Sequence, residues 1–250
     1  MEKIAHDMKV AIFKTRDEMG KTAAKDVANT ILKLLQTQEE VNMIFASAPS
    51  QSDFLTALLT HTEIDWSRIN VFHMDEYIGL GLEHDSSLSS YLRKTFLNNL
   101  TTKSNYFIDG TKEPSIECDR YQALIEEHPI DIVCMGIGEN GHIAFNEPHV
   151  ADFNDPKKIK IIDLDDTSIM QQVNDGQFPT VQDVPKKGIT LTIPTLTSGR
   201  YTFCIVPTVH KAEAVRKTLL DEISPNTPAS ILRLVDNVSL YLDEEAASLV

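Results

Sequence analysis

Basic residues are scarce in this chain: 23 Lys and Arg stand against 37 Asp and Glu, for a net charge of −14. An acidic surface of that size argues against a nucleic-acid backbone or an anionic membrane as partner. It does not argue against a small anionic ligand, because a local cation can reverse the field in one cleft. Cysteine is also scarce. Cys118, Cys134 and Cys204 are an odd number without paired spacing, so no disulfide framework is expected. Cys134 and Cys204 lie in apolar runs and read as buried thiols. No run approaches the length of a membrane span, and Met1 to Asp7 carries no apolar signal core. Together these absences predict a cytoplasmic, reduced protein. What is abundant is apolar residue, 42% of 250, enough for one sizeable domain spanning residues 1–250.

Periodicity predicts alternating strands and helices. Strands are expected at Met8–Phe13, Val41–Phe45, Ile69–Met74, Ile130–Met135, Lys158–Ile162, Gly188–Ile193, Tyr201–Val206 and Val238–Leu242. Helices are expected at Asp17–Leu35, Asp53–Leu59, Leu88–Leu100, Ser115–Glu127, around Lys211–Leu219, at Pro228–Leu232 and at Asp243–Leu249. Asp165–Val184 is polar and interrupted by Gly176 and Pro179, and reads as an irregular connection or lid. The alternation predicts an α/β fold with a mostly parallel sheet and helices on both faces.

The stretch Gly136-Ile137-Gly138-Glu139-Asn140-Gly141-His142-Ile143-Ala144-Phe145-Asn146-Glu147-Pro148 organises the chain. It follows a buried strand, where α/β sheets bind ligands. Its glycines allow close backbone approach, and it carries an imidazole, a carboxylate and side-chain amides. The same turn could merely satisfy its own backbone, and spacing alone leaves the two readings about even. Asp75 follows another strand. A carboxylate beside an imidazole that titrates near neutrality suits proton transfer. Asp75 could equally cap a helix. Glu76 and His73 read as structural, and Asp131 has no evident partner. The turn Ser47-Ala48-Pro49-Ser50-Gln51-Ser52 ends in a helix N-terminus, an anion site or a plain serine cap. No metal spacing, Walker sequence or nucleophile elbow is present, so no metal or cofactor is expected.

Met74-Asp75-Glu76-Tyr77-Ile78-Gly79-Leu80 and the long glycine-histidine stretch resemble the two signatures of the glucosamine-6-phosphate deaminases, also called isomerases. Further similarity runs through Val184–Lys187, Lys211–Lys217 and Pro228–Ser230. The resemblance implies a modified doubly wound, Rossmann-like fold. It implies aldose–ketose isomerisation of an amino sugar, with or without loss of ammonia, with glucosamine 6-phosphate, galactosamine 6-phosphate or another small amino sugar as partner. Asp75 then matches the base that moves a proton between C2 and C1, and His142 the group that opens the sugar ring. Asn140 and Glu147 match the residues that hold that histidine. Lys211 matches a phosphate lysine, and Ser47, Ser50, Gln51, Ser52, Gly138 and Gly141 fall at substrate-contacting positions. The sequence departs from the pattern at phosphate. The turn after the second strand lacks glycine, and Pro49 removes one donor. The position nearest the family's phosphate arginine is Gly176, beside Asp175. A non-catalytic sugar binder with a weakened phosphate site and a 6-phosphogluconolactonase-like hydrolase are the alternatives. A homo-oligomer stays open.

Overall fold

The computed structural model describes residues 8–174 and 176–250. The segment Met1–Asp7, read as carrying no signal core, and Asp175, beside the position of the family's arginine, lie outside the described residues. Seven strands form a parallel sheet: β1 (Lys9–Phe13), β2 (Val41–Phe45), β3 (Ile69–His73), β5 (Ser104–Tyr106), β6 (Ile132–Met135), β9 (Tyr201–Val206) and β10 (Val238–Asp243). Their order is β1-β10-β9-β6-β2-β3-β5.

Side-chain alternation along the strands divides the core. Met43 and Phe45 of β2 face α1 (Arg16–Leu35) and α2 (Ser52–Leu58), in a cluster with Met19, Val27, Ile31, Phe54, Trp66 and Phe96. Ile44, between them, faces the other side, where α4 (Pro114–Glu127) and α7 (Ala212–Leu220) pack with Tyr121, Ile125 and Val215. Two-sided burial explains why the central strands read as unbroken apolar runs. Thr15 caps α1 by accepting from Glu18 N–H, and the α1 residues Ala23, Ala24, Val27 and Ile31 supply its buried stripe.

A second sheet was not anticipated. β4 (Asp75–Tyr77), β8 (Lys187–Leu191) and β7 (Ile159–Asp163) pair antiparallel in that order. Asp75 therefore sits in a short strand opposite Thr190, not in a loop. Around this sheet lies a third cluster of Tyr77, Leu88, Phe145, Ile162, Ile169, Phe178 and Val184.

That cluster corrects the reading of Asp165–Val184. The segment contains α5 (Asp166–Asn174) and a 3₁₀ turn at Val181–Asp183. Ile169, Phe178 and Val184 are apolar anchors spaced too irregularly to register as periodicity, yet all three are buried. Three smaller differences are local. The helix expected over 88–100 stops as α3 (Leu88–Thr95) and continues as a 3₁₀ turn. The C-terminal segment after Asp243 forms turns, with the Asp243 carboxylate accepting from the Ala246 and Thr208 N–H groups. Asp131 does have partners: its carboxylate accepts from Asn42 N–H and Gln38 and pairs with Arg200. Among the described residues, no helix is long and apolar enough to cross a membrane.

Candidate active site

The strand order reverses between β2 and β6. One half of the sheet runs outward through β3 and β5, the other through β9 and β10. Loops leaving such a switch point diverge and open a crevice. Here they border a cleft open to solvent and lined by Ser47, Ser50, Gln51, Asp75, His142 and Lys211 among others.

Asp75 enters the cleft from β4 and is only 7% exposed. Among the described residues none hydrogen-bonds its carboxylate. Burial first, and the neighbouring Glu76 carboxylate second, push its pKa from 3.8 up to about 8. Such a group is a far stronger base than a solvated aspartate. Glu76 points the other way and fulfils the structural role expected of it. Its oxygens accept from Tyr77, Leu88 and Ser89 N–H and from the Ser87 hydroxyl, which ties β4 to the start of α3. His73 is fully buried. Its Nε2 accepts from Ile108 N–H, and burial lowers its pKa to about 3, so it too is packing.

The glycine-histidine turn follows β6. Gly138 N–H donates to His142 O and Gly141 N–H to Gly138 O. Gly141 has φ +84°, which suits glycine. At Gly138 the constraint is space, since a Cβ there would stand 2.1 Å from His142 Cε1 and Nε2. The imidazole therefore lies flat on bare backbone. The turn is clamped to β8, with Phe145 N–H donating to Thr190 Oγ1 and the Asn146 amide donating to Leu191 O.

Asn140 decides the chemistry of His142. Its Oδ1 accepts from His142 N–H at 3.1 Å and stands 2.8 Å from His142 Nδ1. An amide oxygen can only accept, so Nδ1 carries the ring proton and Nε2 keeps its lone pair. Burial and the Lys211 ammonium lower the His142 pKa to about 3, against an upward pull from Asp165. The imidazole is thus neutral at physiological pH and does not titrate near neutrality, contrary to the expectation from its ordinary pKa. Glu147 makes no direct bond to the ring. Its carboxylate accepts from Asp165 N–H and pairs with Ser168, and the Ser168 hydroxyl stands 3.4 Å from His142 Nδ1. Burial raises the Glu147 pKa.

The opposite pole is built by the Ser47–Gln51 turn and Lys211. Ser47 is buried with its hydroxyl lacking a protein partner, and Gln51 is anchored by its amide to Ile205 O. Lys211 is 7% exposed and is the one cationic residue among the described residues lining the cleft. Thr208 steers it there with φ +81°, an unusual value for a β-branched residue. The Asp243 carboxylate holds Thr208 N–H.

The structure brings Asp75, His142, Ser47, Ser50, Gln51, Gly138 and Lys211 to one cleft. Ser52 lies outside that lining, bonded to Pro49 O and Arg16. Gly141, Asn140 and Glu147 stand behind it. Gly176 is exposed and off the lining, whereas Gln171, Gln172 and Gln177 contribute to it. Asp165, Ser168, Thr208 and Asp243 went unnoticed in the sequence, and only Asp165, before a helix, carried any signal there. Glu147, His149 and Asp165 offer possible metal-ligand atoms within 4.8 Å of one another. One Glu147 oxygen already accepts the Asp165 N–H, so the group reads as a hydrogen-bonded cluster.

Comparison with known proteins bears on this geometry. The family described as glucosamine-6-phosphate isomerases/6-phosphogluconolactonase matches residues 14–240. A glucosamine-6-phosphate deaminase from Streptococcus uberis is 33% identical over 96% of this chain and 99% of its own. One from Bacillus cereus is 31% identical over 97% of this chain and 89% of its own. A solved monomeric glucosamine-6-phosphate deaminase superposes with a TM-score of 0.87 at 30% identity, covering 97% of this chain and 100% of that one. The 6-phosphogluconolactonase of Thermotoga maritima superposes at 0.76 with 16% identity over 95% and 99% of the two chains, a likeness of fold alone.

Proposed function

The chain belongs to the glucosamine-6-phosphate isomerase/6-phosphogluconolactonase family, and from that premise we propose that it converts an amino-sugar 6-phosphate into a ketose 6-phosphate and ammonia. One observation carries this reading: Asp75, a buried carboxylate with no hydrogen-bond partner among the described residues, shares a cleft with an imidazole whose Nε2 keeps its lone pair.

Ring opening moves a proton from the anomeric hydroxyl to the ring oxygen. His142 Nε2 accepts the first and returns it to the second. In the open chain, the Asp75 carboxylate removes the C2 proton while the substrate ammonium passes a proton to the aldehyde oxygen, which leaves an enolamine. Returned to C1, that proton gives an imine at C2, which water hydrolyses to the ketose and ammonia. A general base in such a step contributes ~10²–10⁴-fold. A purely binding protein has no use for a buried, unpaired carboxylate, which disfavours folding. Lactone hydrolysis removes no carbon-bound proton and leaves Asp75 without a task.

Phosphate is assigned to the Ser47–Gln51 turn and Lys211. With lysine alone, the bidentate geometry of an arginine is missing, so phosphate is held less tightly than a guanidinium would hold it. Free thiols at Cys118, Cys134 and Cys204 support a reducing, cytoplasmic setting. The test is ammonia and ketose detection with glucosamine and galactosamine, each with and without the 6-phosphate, and with 6-phosphogluconolactone as control. Turnover of an amino-sugar phosphate is expected; lactone hydrolysis without ammonia release would overturn the reading.

A further inference from the structure

In sequence, Asp165 is an ordinary acidic residue before a helix. Its Oδ1 accepts from Ser168 N–H at 2.7 Å, three residues ahead, as a helix N-cap does. A serine could do the same. The rest of its bonding has no part in capping. Oδ2 accepts from the Asn140 amide at 3.1 Å, and Asp165 N–H donates to Glu147 Oε2 at 2.6 Å. Asp165 is therefore bonded to both residues that stand behind His142.

Asn140 has one amide group and two kinds of neighbour. Its oxygen faces two donors, His142 N–H and Nδ1–H, and its nitrogen faces a carboxylate. Flipping the amide would set NH₂ against N–H and oxygen against oxygen. The carboxylate also polarises the amide and strengthens its oxygen as an acceptor. An amide carries no charge of its own, yet through this one a negative charge acts on the imidazole from one residue further back. The Ser168 hydroxyl, at 3.4 Å from Nδ1, is a longer and weaker partner.

We propose that Asp165 is a positioning residue for His142: through Asn140 it holds the imidazole as the Nδ1–H tautomer and supplies the charge that favours the ring as it takes up a proton. The proposal rests on the reading of His142 as the ring-opening group. A comparable inversion of tautomer in a hydrolytic triad costs about 10⁴-fold. Here the carboxylate acts through an amide, and a loss of about tenfold or more is expected.

Two variants separate positioning from capping. Asp165→Ser keeps a cap for Ser168 N–H and removes the carboxylate from Asn140. Asp165→Asn keeps the shape but turns a donor toward the Asn140 donor. The readout is ¹⁵N NMR of the histidine-labelled protein without ligand, with His142 assigned from His142→Gln, alongside kcat on a cyclic amino-sugar phosphate. The wild type should show Nδ1 protonated and Nε2 bare. Both variants should move the population toward Nε2–H and lose about tenfold or more in kcat, with Asp165→Ser melting near the wild type. A wild-type ring protonated at Nε2, or variants with an unchanged tautomer and kcat, would overturn the proposal. A wild type with the expected tautomer but no amino-sugar turnover would instead overturn the deaminase reading.

Discussion

Asp75 and Glu76 are consecutive carboxylates of one short strand, and they face opposite environments. Glu76 accepts three hydrogen bonds from the start of α3 and one from Tyr77 N–H, whereas Asp75 faces the cleft, its carboxylate unbonded among the described residues and its pKa raised to about 8. Strand alternation sends neighbours to opposite faces, so one dipeptide supplies both an anchor and a cleft-facing carboxylate.

The raised pKa has a consequence for stability. The folded state binds a proton at Asp75 that the unfolded chain has already lost, between about pH 4 and pH 8. Stability therefore falls as pH rises through that window. Asp75→Asn removes the penalty. Its unfolding free energy should exceed that of the wild type at pH 8, by a margin on the order of 5 kcal/mol for a pKa raised from 3.8 to about 8, and converge with it near pH 4. Thermal melts across that range check the slope.

The pH dependence of turnover has the same origin. A base must be ionised, so kcat/KM should fall as pH drops below about 8, following Asp75. His142, at about 3, contributes no limb between pH 5 and pH 9. The profile is to be compared with the separately measured titration of the substrate amine. A limb near pH 6.5 that disappears in His142→Gln would contradict this assignment.

At the phosphate pole, Lys211→Ala should weaken an amino-sugar phosphate by about one to two decades, the worth of one charge-assisted contact at roughly 1.5–3 kcal/mol. The unphosphorylated sugar should be nearly unaffected. Gln177→Arg, at a lining position, should lower KM for the phosphate. Titrations of both sugars against each variant decide it.

Gly138→Ala tests the flat seat of the imidazole. The new methyl would collide with His142 at 2.1 Å and displace the ring. Kcat should fall by about 10²-fold, the scale of a misplaced reacting group, while the fold persists.

Much of this was legible in the sequence, because it lay in local pattern. The apolar runs at Val41–Phe45, Ile132–Met135 and Tyr201–Val206 are buried on both faces, and such strands show as continuous hydrophobic segments. The turn after β6 that lines the cleft showed through its glycines. What escaped was set by tertiary contact. β4 is three residues long and exists only against β8. The anchoring of α5 depends on Ile169, Phe178 and Val184 meeting Tyr77 and Phe145, at no regular spacing. Asp165 reaches Asn140 across 25 residues, and the neutral state of His142 follows from burial that composition does not reveal.

The central claim is that Asp75 removes the C2 proton of an amino-sugar phosphate. Glucosamine 6-phosphate labelled with deuterium at C2 tests it, with cleavage of the C2–D bond and ammonia followed together. The wild type should break the bond once for each ammonia released, and Asp75→Asn should lose both by ~10²–10⁴-fold while still binding the sugar. Ammonia released with the C2 label intact, or near-normal turnover in Asp75→Asn, would contradict the account.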